Sequence, residues 1–333
     1  MVGHGIIVIG ASAGGVEALC KLVKDLPENF PAAIFVVLHV PSHGTSVLPQ
    51  ILNRAGRLKA VHPQDSETIQ PGRIYVAPPD FHLLLKKGYI QLSRGPRENG
   101  HRPAVDPLFR TAARTYGRRV IGVVLSGSLD DGTAGVMAIK MRGGIAVVQN
   151  PEDALFSGMP TNAIENTDVD YILPLSEISP LLVKLASEPV GEKEYPVSDE
   201  MEIESDVAEF DMNALQSKDR PGTPSGFACP DCGGALWELK KDNLLRFRCR
   251  VGHAFSAKTL LAQQSEQLEE ALWIALRALE ESSALAQRMA KRARERNHAT
   301  SAGRFEEQSR DAENRAALLR SILLKGELYQ LAE

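Results

Sequence analysis

The sequence predicts an α/β protein: a three-layer α/β/α domain on a mainly parallel, doubly wound sheet, followed by a small cysteine-bearing module and an α-helical hairpin. Three observations carry this. From residue 5 to about 186, short Val/Ile-rich runs alternate with helical patterns, the rhythm of parallel strands covered on both faces. Three of the four cysteines then fall in one 21-residue window. Beyond them, apolar residues and alanines recur near heptad spacing.

In chain order, strands are expected at 5–9, 33–38, 73–77, 120–125 and 145–149, and helices at 16–26, 46–53, 107–116, 133–141 and 177–186. Residues 82–86 and 89–92, around Lys87-Gly88, read as an inserted hairpin. The first strand runs into Gly10-Ala11-Ser12-Ala13-Gly14-Gly15 and a helix. Such a turn exposes a side chain at the strand's carboxyl end and aims free helix N–H groups at it. Ser12 is therefore a candidate nucleophile, a member of an anion cradle, or the apex of an inert turn. The dinucleotide fingerprint fails, since serine replaces the middle glycine and His39 stands where an acidic residue would end the next strand. No Gly-Lys-Ser/Thr phosphate loop follows either. Asp130 and Asp131 open the helix after the 120–125 strand, at the same edge of the sheet. Either could cap that helix or orient His39. The chain order Ser, His, Asp excludes the α/β-hydrolase arrangement.

Composition sets bounds. The chain has 333 residues, 43% of them hydrophobic, with a net charge of −4, which gives no global drive towards nucleic acid or membranes. With no apolar run near the ~20 residues of a membrane span and no secretory signal pattern, a cytoplasmic protein without membrane insertion is expected. Residues 188–211 hold ten acidic residues and one lysine, with Pro221-Gly222-Thr223-Pro224 beyond, so 188–225 reads as an acidic, disordered linker. Cys229-Pro230-Asp231-Cys232 and Cys249-Arg250-Val251-Gly252-His253 stand sixteen residues apart. Cys229, Cys232, Cys249 and His253 make a closed set for structural zinc in a zinc-ribbon-like module over 226–255. The strands 236–240 and 244–248 should pair around Lys241-Asp242-Asn243.

Ser256 reads as the N-cap of a helix to about 296, with Leu260, Gln264, Leu268, Ala271, Ala275, Leu279, Ala286 and Met289 near heptad spacing. After a break at 297–303, a second helix from about 304 to 330 carries Ala312, Ala316, Leu319 and Leu323. An antiparallel hairpin over 256–333 is expected, with a dimeric coiled coil as the competitor. Arg246, Arg248, Arg250 and the 288–296 cluster lack interleaved aromatics, so a nucleic-acid partner is not expected. Arg102 and Arg110 are either solvated or placed to meet an acidic substrate surface. His43 suits a cleft rim, His62, His82 and His101 suit structural or exposed positions, and Cys20 a buried thiol.

Residues 5–186 resemble the catalytic domain of the bacterial chemotaxis protein-glutamate methylesterases. The resemblance rests on Ile9-Gly10-Ala11-Ser12-Ala13-Gly14-Gly15, Leu38-His39-Val40-Pro41, Val105-Asp106-Pro107-Leu108-Phe109, Gly127-Ser128-Leu129-Asp130-Asp131-Gly132 and Phe156-Ser157-Gly158-Met159-Pro160. It implies a 1–187 domain that hydrolyses receptor glutamyl methyl esters and deamidates glutamines, without a catalytic cofactor. By the same resemblance Ser12 is the nucleophile, His39 the base, Asp131 the orienting carboxylate, and the backbone at Ala13 and near Ser128 the oxyanion site. Implied partners are methylated helical receptors or signalling proteins, with self-association through the C-terminal helices. The receiver domain that commonly precedes such domains is not expected in this chain. A non-catalytic scaffold binding partner helices is the competing function.

Overall fold

The computed structural model describes residues 3–191, 193, 195–212, 214, 222–239 and 244–325. They fall into two compact units, Met1–Thr259 and Leu260–Glu333. Seven strands form the central sheet: β1 (Ile6–Ala11), β2 (Ala33–Leu38), β3 (Lys59–Val61), β4 (Arg73–Val76), β7 (Val120–Val124), β8 (Ile145–Gln149) and β9 (Tyr171–Leu173). Their order is β3-β4-β2-β1-β7-β8-β9, and every neighbouring pair is parallel. The inserted hairpin, β5 (His82–Lys86) with β6 (Tyr89–Ser93), is present as expected.

Strand alternation divides the core. Ile7, Ile9 and Ala11 pack with α1 (Gly15–Lys24), α2 (Leu48–Ala55) and α6 (Leu175–Ser187). Ile6 and Val8 face α3 (Val105–Tyr116), α4 (Thr133–Met141), α5 (Gly158–Asn166) and the hairpin. The predicted three layers result. The chain grows from β1 towards β2 on one side and resumes at β7 on the other, so the carboxyl ends of β2, β1 and β7 surround the switch point where such sheets form their crevice.

The acidic segment differs from the expected disordered linker. Residues Asp199–Ala208 form α7, capped by the Ser198 hydroxyl accepting from the Met201 N–H. Met201, Val207 and Ala208 are buried, and its acids meet arginines distant in sequence. Arg114 pairs with Glu202, Asp206 and Glu209. Arg110, Arg246 and Arg248 gather around Glu204 and Glu98. Arg110 is therefore a buried structural cation, and Arg102 is engaged with Asp80 at 2.6 Å; neither is the free substrate-facing arginine considered above. Arg246 and Arg248 are likewise withdrawn from any nucleic-acid surface.

The cysteine-bearing module is an antiparallel sheet in the order β10 (Thr223–Ala228), β11 (Ala235–Leu239), β12 (Arg246–Cys249), β13 (Ala254–Ser256). The turn expected at Lys241-Asp242-Asn243 lies outside the described residues. Ser256 caps the following helix, α8 (Ala257–Glu295), accepting from the Thr259 N–H at 3.0 Å.

In the second unit, α8 and α9 (Ala299–Lys325) form the expected antiparallel pair, tied by Ser283–Ser309 at 2.9 Å and Gln287–Glu313 at 2.6 Å. The break is shorter than expected, turning at Asn297 with φ 60°. The seam also differs: Leu276, Ser283, Ala286, Ala290 and Ala293 are buried against Ala302, Ser309, Ala312 and Ala316, while Leu268 and Met289 are exposed. Residues 326–333, where the second helix was expected to end, are outside the described set.

Removing one partner of a buried ion network strands the rest and costs about 3–5 kcal/mol. Glu204→Ala should lower the unfolding free energy of the full chain by about that amount in urea melts, whereas Glu202→Ala, half-exposed, should change it by less than about 1 kcal/mol.

Candidate active site

The parallel register sets Ala11 opposite Leu38, so the next residues, Ser12 and His39, leave neighbouring strands side by side. Gly14, at φ 71°, bends the chain into α1, and a side chain there would also strike Ser126 Oγ at 2.7 Å. The Ser12 N–H is taken by the Ser126 carbonyl at 3.0 Å. That of Ala13, at the mouth of α1, has no acceptor among the described residues.

His39 Nδ1 lies 3.1 Å from Ser12 Oγ, and its Nε2 lies 2.7 Å from Asp131 Oδ2. An ionised carboxylate only accepts, so Nε2 carries the proton and Nδ1 is left as an acceptor for the serine hydroxyl. The three side chains predicted from sequence meet in one chain of hydrogen bonds. Asp130 does not join them; it accepts from the hydroxyls of Ser256 and Thr259.

Asp131 is 2% exposed and receives four further donors. The N–H of Val105 reaches Oδ2 at 2.7 Å, while those of Asp106 and Gly132 and the Asn99 amide reach Oδ1 at 3.2, 3.0 and 3.0 Å. The first two are orphan N–H groups at the start of α3, and Pro107, next in line, has none to satisfy. Burial alone would raise this carboxyl; the hydrogen bond and charge of His39 and the Val105 N–H outweigh it and hold the group well below the usual carboxylate range. Asp106 reciprocates, accepting from the Gly132 and Gly135 N–H groups at the start of α4. Burial, then the adjacent Asp131 charge, push its carboxyl well up. Of two carboxyls sharing one pocket, Asp131 is pushed down and Asp106 up, the divergence expected where like charges lie side by side.

Gly127 closes the floor. A Cβ there would stand 2.1 Å from the Met159 sulfur and 3.0 Å from Ser12 Cβ, which brings the 127–128 loop against the serine. Sequence reasoning missed three residues of this site. His101 stacks on His39, ring centres 3.7 Å apart; burial, then the nearby His39 charge, lower its pKa to about 4. Asn99 and Asp106 hold Asp131. The Asn99-Gly100 pair and the Asp106-Pro107 helix start were readable as a turn and a cap, but nothing local tied them to residue 131. His82 is buried and bonded to the Pro96 carbonyl, His62 ties two carbonyls, and His43 is exposed.

Cys229, Cys232, Cys249 and His253 converge elsewhere in the same unit, their ligand atoms all within 4.8 Å of one another. Three of the six edges are 3.8 Å for Cys232–Cys249 and 3.6 Å from His253 Nδ1 to Cys229 and to Cys249. A zinc tetrahedron with bonds of about 2.3 Å to sulfur and 2.0 Å to nitrogen has edges of about 3.5–3.8 Å, so the four residues fit that ion. Gly233 and Gly252, at φ 70° and 100°, turn the two knuckles.

A serine, an imidazole and a buried ionised carboxylate at the switch point of a doubly wound sheet make the arrangement of a serine hydrolase. More narrowly, the chain belongs to the CheB methylesterase family, which matches residues 7–182. A Pyrococcus abyssi protein named protein-glutamate methylesterase/protein-glutamine glutaminase is 37% identical over 182 residues, covering 54% of this chain and 50% of that one. A Leptospira interrogans protein that carries the name provisionally is 41% identical over 180 residues, 93% of its length. The crystal structure of the Thermotoga maritima CheB methylesterase catalytic domain superposes with a TM-score of 0.53 at 38% identity, covering 54% of this chain and 98% of that one. The chain thus spans half the length of the Pyrococcus relative and nearly all of the shorter two, and its residues beyond about 187 lie outside these matches.

Acid should unfold the protein through the depressed carboxylates. Besides Asp131, Glu98 and Glu204 are held low: burial raises both, and the surrounding arginines outweigh it. Groups whose folded pKa lies below the unfolded value contribute stability above that value and lose it as pH falls. Asp106 and Asp130, raised chiefly by burial, act above this range, being protonated in both states below it. Urea unfolding free energies should therefore decline steadily as pH drops below about 4.

Proposed function

We propose that the domain over residues 1–187 hydrolyses glutamyl methyl esters on helical chemoreceptor-like proteins and deamidates glutamines in the same class of substrate. The observation that carries this reading is the Ser12–His39–Asp131 relay, set beside the unpaired N–H of Ala13. Leu155 and Phe156, 72% and 44% exposed, form an apolar lip next to the Gly14 turn, suited to the side of a helix bearing the ester.

Ser12 Oγ attacks the ester carbonyl while its proton passes to His39 Nδ1. The Nε2 proton stays hydrogen-bonded to Asp131, whose fixed charge stabilises the imidazolium. The tetrahedral oxyanion takes hydrogen bonds from backbone N–H groups at Ala13 and near Ser128, each worth about 100- to 1000-fold in rate. His39 returns the proton to the leaving methoxide oxygen, and methanol departs. Water, deprotonated by the same nitrogen, then attacks the acyl-Ser12 carbonyl, and collapse restores the serine and a glutamate carboxyl. With a glutamine substrate the leaving group is ammonia. The reaction calls on no cofactor.

Cys229, Cys232, Cys249 and His253 would hold a structural zinc ion; with all four positions filled by protein, it supplies folding energy rather than an open site. Helical receptors or signalling proteins are the partners, with the α8–α9 hairpin available for self-association, and the cytoplasm is the place of action. No helix among the described residues is long and apolar enough to cross a membrane.

Methanol release from a methylated receptor tests the reading. Ser12→Ala should cut the rate by about 10⁶-fold and Asp131→Asn by about 10⁴-fold; undiminished turnover in Ser12→Ala would falsify it. Elemental analysis should find one zinc per chain, absent from Cys249→Ala.

A further inference from the structure

We propose that Asn99 is a positioning residue for the catalytic carboxylate, and that the cysteine-histidine ribbon holds it in place, which makes the ribbon a working part of the esterase. The inference deepens the esterase reading and rests on it.

Asn99 occupies the tip of a two-residue turn. The N–H of Glu98 meets the His101 carbonyl at 3.2 Å, and the His101 N–H meets the Glu98 carbonyl at 2.9 Å. Asn99 and Gly100 have φ of 51° and 74°, the left-handed pair that Asn-Gly adopts most readily. The turn therefore aims one side chain, and it aims it inward: Asn99 is 5% exposed. Its amide nitrogen donates to Asp131 Oδ1 at 3.0 Å and to Asp106 Oδ2 at 3.1 Å. It is the one side-chain donor on Asp131 besides His39 among the described residues, and it bridges the Asp131 and Asp106 carboxyls.

The other end of the same amide belongs to the ribbon. Asn99 Oδ1 accepts from the Ser256 N–H at 2.9 Å. The backbone agrees: the Asn99 N–H donates to the Ala254 carbonyl at 2.7 Å, and the Ala254 N–H donates to the Arg97 carbonyl at 3.2 Å. Ala254 directly follows His253, a member of the metal-fitting set. Just outside this contact, Arg246 and Arg248 of β12 bury their charges against Glu98, the residue before Asn99. Ser256 also holds the residue before Asp131, its hydroxyl donating to Asp130 at 2.6 Å. The covalent and hydrogen-bonded path from His253 to Asp131 thus runs through the three residues of β13 and one asparagine amide. An amide with both ends satisfied cannot rotate, so its nitrogen presents a fixed donor to Asp131. That fixes the carboxylate plane, and with it the Oδ2 that orients His39.

Two variants of the full-length protein separate this role from a structural one. Asn99→Gly keeps the left-handed turn free of strain and removes the amide. Asn99→Asp keeps an oxygen for the Ser256 N–H but replaces the donor facing Asp131 with a third acid. Both should lose about 10- to 100-fold in kcat for methanol release with KM unchanged, and both should retain the zinc content of the parent. The rate at which a fluorophosphonate probe modifies Ser12, which needs the triad but no receptor, should fall by the same factor. Stripping the metal with a chelator should slow Ser12 modification in the parent and add little to the loss already present in Asn99→Gly. If Asn99→Gly turns over and is modified at the parental rate, the positioning role is wrong while the esterase stands. If the parent releases no methanol and its Ser12 is inert to the probe, the esterase reading fails and takes this inference with it.

Discussion

The structure is organised around a charge that has been taken out of water. A carboxylate buried without partners would either neutralise or unfold its surroundings, and Asp131 does neither because five donors converge on it. They come from four places in the chain: the end of β2, the 98–101 turn, the start of α3 and the start of α4. Asp131 and Asp106 exchange caps between α3 and α4, so each helix begins only where the other supplies its acceptor. The two helices, the floor of the crevice and the orientation of the imidazole are thereby one arrangement. Loss of any donor would be felt as a change in all of them, because the desolvation cost stays while the compensation shrinks.

How much of this the residues announce depends on range. The strands β1, β2, β4, β7 and β8 and the hairpin are legible because unbroken aliphatic runs have few other homes. Ser12, His39 and Asp131 are legible because each stands at the carboxyl end of such a run. The short edge strands β3 and β9, three residues each, carry too few side chains for a period to show. Segment α7 misleads for a different reason: its composition is that of a solvated spacer, and what orders it is Arg110, Arg114, Arg246 and Arg248, none of them within 80 residues of Glu204 on the N-terminal side or 40 on the other. Asn99 and His101 look like turn furniture until the fold brings residues 39, 99, 101 and 131 together. The heptad pattern of α8 does not fix its seam without the partner helix; Ser283 is a poor seam residue alone and a good one opposite Ser309.

The ribbon changes how the C-terminal third is understood. Glu98 and Arg110 from the catalytic side and Arg246 and Arg248 from β12 form a contact of a kind that selects one geometry and penalises near misses, since a slipped arrangement would leave several charges dry and unpaired. A tethered module needs no such exactness. The acidic segment between them serves as the third wall of the same contact, through Glu204, and so acts as packing material where its sequence suggests a tether.

The register between β1 and β2 has a consequence for how this chain can change over generations. Each residue advances a strand by about 3.3 Å and turns the next side chain to the opposite face. Side chains along either strand can be exchanged among aliphatics at modest cost, because both faces are oil. Loss or gain of a single codon inside either strand is another matter: it would carry Ser12 or His39 one step out of line and reverse the facing of every residue behind it. In these two strands, inheritance must conserve spacing more strictly than chemistry.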